Sequence, residues 1–196
     1  MKKIPFSLFI FLLATACYGQ DGKSELIIPW PKEYNWKTYN TKTGKEFPYF
    51  DPSERAFQIT FVPENQTMND WIIKGSIVKY GSNEDKDGIR LIYKFEDGKM
   101  VDNLTSIADT IFYLQKQKFF HIKFILLEKY GRGILFKIEP DDPSNGNNES
   151  STLYYLIAGG YGYVYLASVT IHESKLSDEF IAKWSKVFKN SQLIVW

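Results

Sequence analysis

Histidine and cysteine, two of the side-chain types that most often carry acid–base or metal chemistry, are rare in this sequence. The chain has two histidines, His121 and His172, and one cysteine, Cys17. Metal binding and general-base catalysis need such groups clustered with carboxylates. The histidines are far apart in sequence, each on a predicted strand, and we interpret each as hydrogen-bonded within its strand. His172-Glu173 is at most half of a site. We therefore predict no metal, no cofactor and no catalytic residue.

Two carboxylates, Glu64 and Asp70, flank a predicted turn and could act as an acid–base pair. The simpler interpretation is that Glu64, Asn65 or Thr67 caps that turn, because short polar side chains bond to the backbone of turns. A hydrolase site would require the fold to bring Glu64, Asp70 and His172 together from distant parts of the sequence.

Sequence motifs of common enzyme classes are absent. There is no nucleophile elbow, phosphate loop, dinucleotide fingerprint or His-Glu-x-x-His. Gly159-Gly160-Tyr161-Gly162 is rich in glycine but includes no basic residue and precedes no predicted helix. This run is typical of a hairpin turn.

The best candidate for a binding surface is rich in tyrosine. Leu153 to His172 predicts a hairpin turning at Gly159-Gly160, where glycines supply the positive φ angles of a two-residue loop. That turn would place four tyrosines on one face: Tyr154, Tyr161, Tyr163 and Tyr165. Tyrosines give rigid, amphipathic contact area suited to a glycan or protein partner. The alternative is that a helix covers this face.

The elements that would position these residues begin with a central hairpin. Phe57 to Phe61 alternates apolar and polar residues, Pro63 ends that strand, and Trp71 opens a β-branched run. Further strands are predicted at Glu33–Tyr39, Ile89–Phe95, His121–Lys129, Ile134–Glu139 and Leu193–Trp196. Trp30, between two prolines, is expected to fill the core from an edge segment.

Two helices complete the predicted body. Asn103 to Gln117 repeats apolar residues at helical spacing, and Asp102 or Asn103 can cap it. Ser177 caps a second helix, with a stripe that includes Trp184 and Phe188. Pro140–Ser151 is predicted to be a long exposed loop. The predicted fold class is α+β, with one domain over residues 24–196.

The start of the sequence has the pattern of an export signal. Lys2 and Lys3 precede an apolar run from Ile4 to Leu13, which is too short to span a membrane. Charge is nearly balanced, with 24 basic and 23 acidic residues. The protein therefore has no large excess of positive charge that would favour binding to nucleic acid. We expect an exported protein, located in the periplasm or at the outer membrane.

Two cleavage sites are compatible with this signal. Ala14-Thr15-Ala16-Cys17 resembles a lipobox, which would make Cys17 a lipidated first residue, although Ala14 stands where leucine is usual. Cleavage after Gly19 would leave Gln20 first, and Tyr18-Gly19-Gln20 resembles signal ends of exported proteins in Bacteroidetes-type bacteria. The signal therefore covers residues 1–19, or 1–16 in a lipoprotein.

The central hairpin also carries a family resemblance. Phe61-Val62-Pro63-Glu64-Asn65-Gln66-Thr67, with Trp71 opening the next strand, resembles a segment of exported bacterial proteins with the PsbP/Mog1-like fold. The resemblance implies a central antiparallel sheet of about six or more strands with helices on both faces, and mostly non-catalytic members. Ile89–Phe95 and its acidic flank look like an insertion into that layout.

These observations predict a non-catalytic envelope protein that binds a protein or glycan or supports an assembly. Two alternatives remain open. One is an immunity or inhibitor protein against a secreted toxin, and the other is a hydrolase whose site is assembled from scattered residues.

Overall fold

The computed structural model describes residues 24–40, 46–47, 58–81, 88–119, 121–141, 150–160 and 162–195. The predicted signal peptide, Cys17, Tyr161 and residues 142–149 of the predicted loop lie outside these ranges.

The described chain is mostly sheet, with two α-helices. The strands are β1 Ser24–Ile27, β2 Trp36–Asn40, β3 Glu46–Phe47, β4 Gln58–Pro63, β5 Ile73–Tyr80, β6 Tyr93–Glu96, β7 Lys99–Asp102, β8 Ile122–Tyr130, β9 Gly133–Pro140, β10 Ser151–Gly160, β11 Tyr163–Ile171 and β12 Gln192–Val195. The helices are α1 Leu104–Lys118 and α2 Asp178–Lys189, and Lys32–Tyr34 forms a short 3₁₀ turn.

Eight strands form one antiparallel sheet in the order β3-β2-β4-β5-β11-β10-β9-β8. Two smaller sheets are the pairs β1-β12 and β6-β7. The predicted α+β class with a central antiparallel sheet of at least six strands is confirmed.

The central hairpin has the predicted form. β4 and β5 pair antiparallel, and Pro63 is the last residue of β4. The Thr67 hydroxyl accepts hydrogen bonds from the amides of Asn69 and Asp70, so Thr67 caps the turn as expected. β5 begins at Ile73 rather than Trp71, because the Gln66 side chain accepts the Ile72 amide before pairing starts.

The first core packs α2 against the sheet around a group of aromatic rings. Trp184 and Phe188 are fully buried, and Trp30 lies 5.9 Å from Trp184 and 4.5 Å from Phe61, measured between ring centroids. A Cβ at Gly75 would lie 2.6 Å from the Trp30 ring, so this close approach requires glycine. The prediction that Trp30 fills the core is confirmed.

The second core packs α1 against the sheet. The buried side of α1 comprises Leu104, Ile107, Ala108 and Ile111. They cluster with residues of β9, β10 and β11 such as Phe136, Leu156 and Leu166.

Helix starts follow the predicted capping chemistry. The Ser177 hydroxyl accepts the Phe180 amide at 3.1 Å, as predicted for α2. At α1 the Asp102 carboxylate accepts the Leu104 amide at 3.1 Å. The neighbouring Asn103 side chain does not cap the helix. It bonds instead to the backbone of Arg90 and Ile92.

Two strand predictions are partly wrong. Glu33–Tyr39 begins with the 3₁₀ turn and becomes a strand only at Trp36. In Ile89–Phe95 only Tyr93 onward is strand. Ile89 and Leu91 alternate because both are buried in the second core, not because they belong to a ladder. An alternating apolar pattern indicates that one side of a segment is buried, and an irregular segment can have one buried side as well.

A buried ion pair lies within β9. Lys137 Nζ is 2.7 Å from Glu139 Oε1, and Glu139 is only 1% exposed. The same carboxylate oxygen accepts the Leu176 amide at 2.9 Å. Glu139 therefore holds the segment before α2 against the sheet.

Candidate functional site

The predicted tyrosine face does not form as a single surface. Tyr154 pairs with Ser168, while Tyr165 pairs with Ile157, so the two tyrosines alternate in register and point to opposite faces. Tyr154 belongs to the second core and Tyr165 to the first. Tyr163 is half-buried, and Tyr161 lies outside the described residues.

The physical reason is a shift of register. Pairing slips between Ala158 and Gly160, and β10 continues to Gly160, so the predicted turn residues Gly159-Gly160 belong to the strand. Tyr154 pairs with Ser168 and not, as that turn requires, with Tyr165, which is a displacement of three residues. A displacement by an odd number of residues moves the side chains of one strand to the other face relative to its partner. The prediction that Tyr154 and Tyr165 share an exposed face is wrong, and neither is available to a partner.

Burial raises the pKa of Tyr154 to about 12, and burial likewise raises the pKa of Tyr165 to about 12. Tyr154 also has a hydrogen bond with Thr152, and the Tyr165 hydroxyl donates to the Ser24 carbonyl. Both phenols are therefore neutral structural groups.

Alkaline pH should destabilise the fold through these two phenols. Both phenols remain protonated in the folded chain up to about pH 12, whereas in the unfolded chain they ionise near pH 10. Their contribution to the free energy of unfolding is therefore complete below about pH 10 and is lost as pH rises through about 12. Urea unfolding at several pH values above 8 should show this fall, and Tyr154→Phe should flatten it. An equal fall in the variant would contradict the role of Tyr154.

A second group of polar and aromatic side chains lies where β5 begins and β11 ends. We call Trp71, Lys74, Ser150, Thr170 and His172 the Lys74 cluster. The Trp71 ring stacks on the His172 ring with centroids 3.9 Å apart and planes inclined by 26°. Lys74 Nζ lies 4.0 Å from the Trp71 centroid. Because one face of the indole is filled by imidazole, the ammonium lies over the other face.

Residues that are far apart in the sequence thus meet at this cluster. His172 Nδ1 is 2.9 Å from Ser150 Oγ. Lys74 and Thr170 are cross-strand partners, and the Thr170 hydroxyl lies 3.0 Å from that of Thr152. The cluster combines one ammonium with an imidazole and several hydroxyls.

The structure brings only some of the residues of the hydrolase alternative close together. Asp70 precedes Trp71, which touches His172. Glu64 instead accepts a 3.4 Å hydrogen bond from the Asn35 side chain. His172 contacts Ser150, but among the described residues no carboxylate hydrogen-bonds to its ring. Such a carboxylate would orient the imidazole as a base.

The most exposed apolar surface is the β6-β7 hairpin. Phe95 is 76% exposed and Met100 is 72% exposed. They are directly opposite each other across the pair, and Tyr93 lies on the same side two residues before Phe95. We call Tyr93, Phe95 and Met100 the hairpin face.

The hairpin is well defined although its residues are exposed. Asp97 and Gly98 have φ of 48° and 76°, which matches the two-residue turn favoured by Asp-Gly. At its base the Asn103 amide side chain donates to the Arg90 carbonyl and accepts from the Ile92 amide. Ile89 and Leu91 are buried just before it. The base of the hairpin is thus fixed to the second core, while the hairpin face projects away from it.

A comparison of the chain with protein-family models, with curated proteins and with solved structures found no match in any of the three.

Sequence reasoning missed both the Lys74 cluster and the hairpin face. The sequence shows the Asp97-Gly98 turn pair, with Tyr93 and Phe95 before it and Met100 after it. The contact between Trp71 and His172 had no sequence signal, because β5 and β11 are neighbours only through the sheet order.

Among the described residues, no group of three or more His, Cys, Asp and Glu residues is arranged to hold an ion. Neither α1 nor α2 has the length and apolar character needed to cross a membrane. His121, with φ of 61° and an exposed side chain, lies just before β8.

Proposed function

We propose that this chain is an exported, non-catalytic binding module of the cell envelope, and that it holds a protein partner through the hairpin face. The observation that carries the proposal is the exposure of Phe95 and Met100 on an isolated two-stranded sheet. Aromatic residues and methionine are enriched in the cores of protein interfaces.

The energetics of the hairpin support this role. A two-stranded hairpin with no packed face is marginally stable in water. All eight strand residues of β6 and β7 are exposed. Covering the hairpin face with an apolar surface would remove Phe95 and Met100 from water and stabilise the pair. A protein supplies such an apolar surface more readily than a hydroxyl-rich glycan.

The proposal includes the PsbP/Mog1-like fold with helices on both faces of the sheet. Its support is the alternation along β10, where Tyr155 packs in the core that contains α2 and Tyr154 in the core that contains α1. In such a layout the β6-β7 hairpin is an insertion. Insertions of this kind are where related folds acquire separate partners.

The location of the protein rests on its first residues. Lys2 and Lys3 followed by an apolar run are the support for export to the periplasm or outer membrane, and Cys17 is the residue that a lipid would modify.

The test is a comparative capture from envelope extract. The double variant Phe95→Ser, Met100→Ser should lose the partner by at least about tenfold, because loss of central apolar anchors costs roughly 2 kcal/mol or more. Tyr113→Ser is the matched control, since Tyr113 is 62% exposed on α1. It should capture the same protein as the unmodified chain.

Two outcomes would count against this function. If the double variant captures the same proteins in the same amounts, the hairpin face is not the binding surface. If its melting temperature falls well below that of the control, the residues are structural, since exposed substitutions normally change stability by no more than about 0.5 kcal/mol. A captured toxin would favour the inhibitor alternative.

A further inference from the structure

Lys74, like Lys79 on the same strand, differs from Lys137 and Lys189 in what surrounds its ammonium. Lys137 and Lys189 each lie within 4.0 Å of a glutamate oxygen. Lys74 has no carboxylate within that distance among the described residues, and its ammonium lies over the Trp71 ring. Burial lowers the pKa of Lys74, because the ammonium has lost part of its hydration. A half-buried cation without an anion is a costly arrangement unless it has a use.

Residues with hydroxyl groups share the side of the sheet on which Lys74 lies. Lys74 and Thr170 lie on the same side of the sheet as Val78 and Leu166, because alternate residues of a strand share a face. On that side the Thr152 and Thr170 hydroxyls lie 3.0 Å apart, and those of Ser76 and Ser168 2.6 Å apart. The face thus changes from the apolar residues under α1 to neutral hydroxyl groups around Lys74.

The aromatic rings of the cluster restrict what can bind. Trp71 has Lys74 on one face and His172 on the other, at 4.0 Å and 3.9 Å from its centroid. Neither face of the indole is free to stack on a sugar ring. Recognition must therefore use the ammonium and the hydroxyl groups, which together suit the oxygens of a small anion.

We propose that the Lys74 cluster binds an oxyanion, with the Lys74 ammonium as the charged contact and the Thr170 hydroxyl beside it as a second donor. The ligand is a sulfate, phosphate or carboxylate group, either free or at the end of a larger molecule. This site is separate from the hairpin face and does not depend on the proposed function.

The test is a titration of the purified protein followed by nuclear magnetic resonance. Sodium sulfate, sodium phosphate and sodium glucuronate are added separately, with ionic strength held constant by sodium chloride. We expect saturable shifts of the Trp71 indole and of the Lys74 and Thr170 amides with at least one of them. The arm that saturates at the lowest concentration identifies the anion.

Lys74→Met keeps a long unbranched side chain and removes its charge. It should weaken binding about 10- to 100-fold, as expected for loss of a charge-assisted hydrogen bond. Lys79→Met is the matched control on the same strand, because the Lys79 ammonium lies 4.4 Å and 5.6 Å from the Tyr163 and Tyr165 ring centroids. Binding in this control should be unchanged. Thr170→Val should also weaken binding, and it tests the site if Lys74→Met does not fold.

Three results would overturn the proposal. The first is the absence of saturable shifts with all three anions. The second is equal affinity in Lys74→Met and the unmodified protein, which would mean an adventitious ion only. The third is an equal loss of binding in Lys79→Met, which would mean that the overall charge of the protein, and not the Lys74 cluster, causes the effect.

Discussion

Replacing Trp184 with alanine should lower the free energy of unfolding by roughly 3–5 kcal/mol, the range found for large aromatic residues in well-packed cores. Trp184 is fully buried in α2 and its ring lies within 6.2 Å of the rings of Trp36 and Phe188. No neighbouring side chain can fill the cavity without leaving its own contacts. Chemical denaturation followed by circular dichroism measures the change.

Two further variants sharpen this result. Trp184→Phe should cost less than alanine, because it keeps a ring and removes the indole Nε1, which has no hydrogen-bond partner within the part of the chain that the structure describes. Tyr113→Ala, on the exposed side of α1, should change stability by about 0.5 kcal/mol or less. A loss below about 1 kcal/mol for Trp184→Ala would show that α2 does not pack as described.

Replacing Glu139 with alanine should cost a similar amount, roughly 3–5 kcal/mol, for an electrostatic reason. The substitution leaves the Lys137 ammonium buried with no counter-charge and takes the acceptor from the Leu176 amide. Thermal and denaturant unfolding of the single variant should both show the loss. The control is Glu128→Ala, because its pair with Lys189 is partly exposed, and it should cost less than about 1 kcal/mol.

The double variant Lys137→Met, Glu139→Leu separates the two contributions. If the lone ammonium causes most of the loss, the double variant should recover most of the stability, since apolar side chains of similar volume often replace buried ion pairs without cost. If it is as unstable as Glu139→Ala, the contact with Leu176 is the more important one. A neutral single variant would contradict the burial of the pair.

Local chemistry in the sequence predicted much of the fold. Helix α2 follows from Ser177 as its cap and from apolar spacing up to Phe188, because both signals lie within a few residues. The last strand was predicted from the apolar run beginning at Leu193, although its pairing with β1 was not. These predictions depended on neighbours along the chain.

The predictions that failed depended on register and on sheet neighbours. Gly159-Gly160 has the composition of a two-residue turn, but both glycines lie within β10, where the ladder is irregular between Ala158 and Gly160. Nothing in local composition distinguishes a turn at these glycines from a strand that continues through them. Similarly, Phe95 and Met100 have the spacing of a buried strand face, and only the three-dimensional arrangement leaves them exposed.

The pairing of β1 with β12 has a practical consequence for any experiment that attaches the protein to a surface. Ser24 and Val195 are partners, and Ser24 bonds to Tyr165 near the start of β11. The turn before β11 contacts the base of the hairpin, where the Leu91 amide donates to the Gly162 carbonyl. A tether at either end of the described chain would therefore leave from the same end of β11 as the hairpin. Immobilisation through an internal exposed residue on α1, such as Tyr113 changed to cysteine, would keep the hairpin away from the support.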